Sequence, residues 1–153
     1  MQLLKVSVLL LLVVLSAGSP ATSTQAQGML QVIDPFARAT PGGVKNGAAY
    51  LLLKNPGKTP RVLVGVNSDV AAHVAMHRSA MRDGMMHMTP VPQLTIPAHS
   101  SVQFKPGSYH IMLMGLKKGL VEGSHFQLVL YFKNAPEQRV EVQVRGIGAM
   151  PLQ

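Results

Sequence analysis

Cysteine is absent from the 153 residues of the sequence. A chain without cysteine forms no disulfide, so its fold cannot depend on covalent cross-links. It also has no side chain that could carry a lipoprotein anchor, and no thiolate for a metal ion. Any soft metal would therefore be held by methionine thioether and histidine imidazole, and thioether does not form disulfides in an oxidising compartment.

Acidic and aromatic residues are scarce: six residues are Asp or Glu, and aromatics are 5% of the chain. With so few carboxylates and no nucleophile motif, we expect no enzyme activity. The formal net charge of +8 is compatible with acidic partners or an anionic membrane surface, although ordinary solubilising charge is the simpler explanation. Because the basic residues are scattered, with Lys117-Lys118 as the one adjacent pair, we expect no nucleic-acid partner.

Long apolar runs are confined to the N-terminus. The run Val6–Leu15, broken by one serine, follows a single positive charge and precedes small and polar residues. This order is typical of a secretory signal, and the run is shorter than the ~20 residues that a membrane-spanning helix needs. We predict a signal peptide over residues 1–26, cleaved near Ala26 with earlier sites also open. Residues 27–153 then form one exported domain, with a formal charge lowered by one, to +7, through loss of Lys5.

The rest of the chain lacks a long helical stripe and is divided by turn residues about every ten positions. The turn signals are Pro41-Gly-Gly43, Asn55-Pro-Gly57, Asp83-Gly84, Pro97, Pro106-Gly107, Gly119, Glu122-Gly123 and Asn134-Ala-Pro136. Between them lie runs rich in Val, Leu, Ile and Tyr, namely 48–54, 61–66, 101–105, 127–133 and 139–145. The last alternates apolar and polar residues, as a half-buried strand does. Short, evenly spaced strands predict an all-β antiparallel sandwich or barrel.

Methionine and histidine are concentrated in the middle of the chain. The methionines there are Met76, Met81, Met85, Met86, Met88, Met112 and Met114, and the histidines are His73, His77, His87, His99, His110 and His125. A single methionine is more often adaptable core filler than a ligand, and a lone histidine is more often a surface or core residue. The two types together, at strand-compatible spacing, favour a metal site.

Two segments each bring a histidine and a methionine to one face. In a strand over 109–114, His110, Met112 and Met114 share one face, and two aliphatic residues face the core. Asp83-Gly84 predicts a two-residue hairpin, in which Ser79 lies opposite Met88. His77 is then a diagonal neighbour of Met88, within reach of a long side chain.

Ligand type decides which metal two histidines and two methionines would bind. Thioether is a soft ligand that binds magnesium and calcium poorly, and zinc usually takes thiolate, imidazole or carboxylate. The set His77, Met88, His110 and Met112 therefore predicts one Cu(I) per chain, with silver as a weaker candidate. A blue-copper electron-transfer site is excluded, because it requires a cysteine thiolate.

The spacing of these four residues resembles the H-x10-M-x21-H-x-M signature of the periplasmic PCuAC copper chaperone family. The segments 37–41, 46–50, 85–88 and 105–117 are also similar to that family, and the resemblance covers residues 30–146. It implies a cupredoxin-like β-barrel with an accessible Cu(I) site in the periplasm. It also implies copper delivery to the copper-centre subunit of cytochrome c oxidase, alongside Sco-type copper proteins. We expect a monomer.

Some features depart from the signature, and some alternatives stay open. Certain members carry a His/Met-rich C-terminal extension that binds Cu(II), whereas no such segment follows Gly146, so we expect no second site there. The remaining four histidines are expected to be ordinary structural or surface residues. For Met85 and Met86, core or rim packing is favoured over a role in copper handover. A copper buffer without a dedicated acceptor is the main alternative function; a copper enzyme and a metal-free interaction module are weaker ones.

Overall fold

The computed structural model describes residues 29–152, so the predicted signal peptide lies outside the described residues. This part of the chain folds into ten strands and contains no helix, as the turn spacing predicts. The strands are β1 (Gln31–Arg38), β2 (Asn46–Asn55), β3 (Arg61–Asn67), β4 (Ala71–Arg82), β5 (Met85–Pro90), β6 (Leu94–Ile96), β7 (Ser100–Phe104), β8 (Tyr109–Leu116), β9 (His125–Phe132) and β10 (Gln138–Arg145). No helix in the described residues could cross a membrane.

All ten strands belong to one sheet, in the order β5-β4-β8-β7-β2-β1-β10-β9-β3-β6, with β8 also pairing with β2. Most neighbours are antiparallel, as expected. Two pairs are parallel, namely β1 with β10 and β7 with β8. β1 and β10 are distant in the sequence, so local turn signals do not reveal their pairing. β7 and β8 are joined by four residues and meet at a single bridge, between Phe104 and Tyr109.

The core is built from the alternating faces of the strands. In β10, Val140, Val142 and Val144 are buried while Glu141 and Gln143 are exposed, which confirms the predicted period of two. The partner strand β9 contributes buried residues with the same spacing. Each fully buried aliphatic or aromatic side chain stabilises the fold by roughly 1.5–3 kcal/mol, so the fold needs no disulfide.

Strand β8 separates the core from the surface that carries the candidate ligands. Ile111 and Leu113 are fully buried on its core face. His110, Met112 and Met114 lie on the opposite face, as the alternation predicts. Because β8 pairs with both β4 and β2, its outer face is flanked by a strand on each side.

Asp34 joins the C-terminal segment to the sheet. It lies at an irregularity of β1, with a φ of 51°, and its carboxylate accepts hydrogen bonds from the guanidinium of Arg145 and from the backbone N–H of Leu152 at 2.8 Å. Arg145 also covers the ring of Phe36, 4.7 Å from its centroid. Burial alone would raise the pKa of Asp34, but these two hydrogen bonds and the charge of Arg145 outweigh it and lower the pKa.

A lowered pKa in the folded state makes this contact pH-dependent. The stabilisation is present above the unfolded-state pKa of about 3.9 and is lost as the pH falls through the lower folded-state pKa. Replacing Asp34 by Asn should reduce the free energy of unfolding at pH 7 by about 1–3 kcal/mol, since a charge-assisted hydrogen bond is weakened. Urea unfolding at pH 7 and pH 3 measures this.

The matched control is Glu137→Gln, which removes the charge from the exposed pair of Glu137 and Arg139 and should change little. The difference in the free energy of unfolding between D34N and the unsubstituted protein should be smaller at pH 3 than at pH 7. A difference of constant size at both pH values would contradict the role given to the Asp34 carboxylate.

Candidate metal centre

The hairpin between β4 and β5 turns through Asp83 and Gly84, whose φ values are 51° and 76°. Two successive residues with positive φ form a type I′ turn, whose twist matches that of antiparallel strands. The register places Arg82 opposite Met85 and Ser79 opposite Met88, which confirms the pairing predicted from the sequence. Met88 therefore lies on the same face of the hairpin as His77, one diagonal step away.

The pairing of β4 with β8 brings the two predicted histidines together. His77 lies directly opposite His110, and the two imidazole rings are stacked, with centroids 5.9 Å apart and planes 22° from parallel. In the same ladder, Ala75 lies opposite Met112. The small side chain of Ala75 leaves room on this face beside the thioether of Met112.

His110 is held by a backbone contact. Its Nδ1 lies 3.1 Å from the carbonyl oxygen of Ser108, and its side chain is almost wholly buried. A neutral imidazole that donates its Nδ1 proton to a carbonyl keeps its lone pair on Nε2, which is the arrangement that orients a histidine toward a metal ion.

His77 contains an unsatisfied buried nitrogen. Its Nδ1 is the one buried side-chain nitrogen or oxygen within residues 29–152 that has no hydrogen-bond partner. Burying an imidazole nitrogen without a partner costs about 1–3 kcal/mol. A bond to a metal ion would remove that cost, so the donor chemistry of this position fits a metal.

Three of the four predicted ligands line one surface cavity. Met88, His110 and Met112 border a cavity of about 270 Å³ that opens to solvent. Met88 is 56% exposed, whereas His110 is 7% exposed. Within residues 29–152, no three His, Cys, Asp or Glu side chains form a metal-binding group; the donors beside the histidine pair are thioethers.

Arg38 and Tyr50 also border the cavity, although the sequence does not single them out as site residues. The guanidinium of Arg38 lies 5.6 Å from the centroid of the Tyr50 ring. Burial raises the pKa of Tyr50 against the opposing effect of Arg38, so the phenol stays protonated and neutral. Both residues fall in segments that resemble the PCuAC family. That resemblance was the one sequence feature that could have marked them as site residues.

The other four histidines and the methionines Met85 and Met86 do not line this cavity. His73, His87, His99 and His125 are exposed, as expected of surface residues. Met85 and Met86 are 62% and 54% exposed, so they lie at the rim, one of the two positions expected for them, and not in the core. The reason is their position beside the turn of an edge hairpin, where no second layer covers them.

A family model described as "Putative lipoprotein LpqE-like" matches residues 30–144. The chain belongs to the LpqE-like family. One relative, "Putative lipoprotein Lxx21020" of Leifsonia xyli subsp. xyli, is 32% identical over 135 residues, which are 88% of this chain and 80% of the relative. The 153-residue sequence contains no cysteine.

Solved structures similar to this LpqE-like chain are copper-binding PCuAC domains. The apo PmoF2 PCuAC domain has a TM-score of 0.68 and 26% identity, over 83% of this chain and 98% of that one. The Cu(I) form of DR1885 from Deinococcus radiodurans has a TM-score of 0.62 and 29% identity, over 82% of this chain and 85% of that one. The fold is therefore cupredoxin-like, as the resemblance implies.

The two histidines differ in a way that unfolding measurements can detect. In the metal-free protein, His77→Leu removes an unsatisfied buried nitrogen, whereas His110→Leu removes the partner of the Ser108 carbonyl. We expect H77L to be at least as stable as the unsubstituted protein and H110L to be less stable by about 1 kcal/mol. Urea unfolding without metal measures both. Equal destabilisation of the two variants would show that the Nδ1 of His77 is not a cost to the fold.

Proposed function

We propose that this protein is an exported, periplasmic Cu(I) metallochaperone. It binds one Cu(I) through His77, Met88, His110 and Met112, and it delivers this copper to the copper-centre subunit of cytochrome c oxidase. The observation that carries the proposal is the stacked pair of His77 and His110, with an unsatisfied nitrogen in His77, beside two thioethers at a solvent-open cavity.

The donor set favours Cu(I) over other ions. Two imidazoles and two thioethers match a soft or borderline cation, whereas hard cations prefer oxygen ligands. Similar solved structures include a copper-bound PCuAC domain from PmoF2 and the Cu(I) form of DR1885, which supports the same cargo for this chain. Four protein ligands leave no open position for a substrate, which favours carriage of copper over catalysis.

The unequal exposure of the ligands suggests how copper leaves. His110 is buried and fixed by Ser108, whereas the thioether of Met88 projects into solvent from the hairpin. Of the four ligands, Met88 is the one that an acceptor reaches first, so we expect it to be the first of them to exchange. The copper stays Cu(I) throughout, and no electron is transferred.

The positive surface favours an acidic acceptor. Arg38 borders the copper cavity itself, and Arg78 and Arg82 lie on the reverse face of the hairpin that carries Met88. Charge complementarity of this kind raises association rates, and salt screens it. We therefore expect a monomer that docks transiently on the oxidase subunit, and a Sco-type copper protein is a further candidate acceptor.

Copper transfer tests the proposal. The unsubstituted protein should bind one Cu(I), and Met112→Leu should lower its affinity about tenfold or more with little effect on folding, since the side-chain volume is nearly unchanged. Met114→Leu is the matched control, on the same strand and face, and should bind normally. Loaded protein should pass copper to a purified oxidase copper-centre domain faster than copper dissociates into a chelator, and added salt should slow this.

A copper buffer gives different results. It has the same stoichiometry and the same sensitivity to M112L, but its transfer is no faster than free-ion dissociation and does not depend on the identity of the acceptor. That result would replace the chaperone function with buffering. Equal loss of copper affinity in M112L and M114L would contradict the assignment of Met112 as a ligand.

A further inference from the structure

The hairpin of β4 and β5 presents more thioethers on its copper-facing side than the four-ligand site uses. Met81 lies directly opposite Met86, and the next pair on the same face toward the sheet is Ser79 with Met88. His77 follows one step further, paired with Pro90 on this side. A row of sulfur donors therefore runs from the turn to the histidine pair.

These methionines are not core filler. Met81, Met86 and Met88 are 62%, 54% and 56% exposed, whereas the buried hydrophobic core of the described residues contains one methionine, Met76. Exposed large apolar side chains in a group mark a binding surface more often than a packing role. Their alignment on one face, beside a site built from the same chemistry, indicates a metal rather than an apolar partner.

The distances of a β-hairpin allow two of these sulfurs to share an ion. Side chains directly opposite each other have Cβ atoms about 4.5–5.5 Å apart, and neighbours on the same face of one strand are about 7 Å apart. Methionine has three rotatable bonds and a polarisable sulfur, so Met81 and Met86 can both reach one soft cation between them. Met88 is close enough to join either site.

We propose that Met81 and Met86 form a second, weaker site for a soft d10 cation, Cu(I) or Ag(I), at the tip of the hairpin. This inference rests on the proposed function, because the second site borders the first through Met88. A cation held there exchanges its ligands along the row of thioethers without any change of oxidation state. The tip is thus the point where copper enters or leaves the site of His77 and His110.

Met85 provides a control within the same hairpin. It is 62% exposed and lies beside the turn like Met86, but it pairs with Arg82 and therefore projects from the opposite face. A competing position for a second cation is the pair of His73 and Met114, which lie opposite each other across β4 and β8 on the copper-facing side. This pair offers only one thioether, and the side chain of Met114 is half-buried.

The test is a titration of the protein, labelled with 13C at the methionine methyl groups, with Ag(I) up to two equivalents. Ag(I) is a soft d10 cation that does not oxidise in air. The methyl signals of Met88 and Met112 should move during the first equivalent. Those of Met81 and Met86 should move during the second, while those of Met85 and Met114 stay in place.

Variants separate a binding site from a general effect of the hairpin. The double substitution Met81→Leu and Met86→Leu keeps side-chain volume and should abolish the second binding event, with the affinity for the first Ag(I) changed by less than about twofold. Met85→Leu should retain both events. It is the control for any general loss of hairpin stability.

The outcomes distinguish this inference from the function on which it rests. If the first equivalent moves Met88 and Met112 but the second moves Met114 or no methyl signal, the tip site is wrong and the copper site stands. If M85L loses the second event as fully as the double variant, the tip site is also wrong. If the first equivalent leaves Met88 and Met112 in place, the proposed function fails, and the tip site fails with it.

Discussion

The candidate metal centre depends on the register between β4 and β8, which sets His77 against His110. Side chains alternate between the two faces of a strand, so a slip of one residue would send His77 toward the core and Met76 toward the surface. The core prevents that slip, because Met76 is buried opposite Ile111 in the same ladder. Packing on one face of the sheet therefore fixes the imidazole pair on the other.

The two halves of the site differ in rigidity, and the difference fits carriage of a cargo. The half on β8 is flanked by strands on both sides, and its histidine is held by the Ser108 carbonyl. The half on the hairpin lies at the edge of the sheet, with Met88 exposed. A site with one fixed side and one accessible side can hold an ion firmly and still offer it to an incoming ligand. The unsatisfied nitrogen of His77 adds a local cost that metal binding would remove.

Features set by short-range chemistry were predictable from the sequence. Asp83-Gly84 alone determines the pairing of Ser79 with Met88, because a type I′ turn allows two residues in the loop. The direct contact of His77 with His110 was not predictable in this way, since it depends on pairing between strands distant in the sequence. For the same reason, neither the position of Arg38 at the cavity nor the parallel pairing of β1 with β10 was predictable.

The central claim is that one Cu(I) is held by two imidazoles and two thioethers. X-ray absorption at the copper edge of the Cu(I)-loaded protein measures the neighbours of the metal directly. We expect mixed scattering from about two nitrogen and two sulfur atoms, because a soft cation binds thioether and imidazole ligands. A spectrum with only nitrogen and oxygen neighbours would contradict the account, because Met88 and Met112 would then not be ligands.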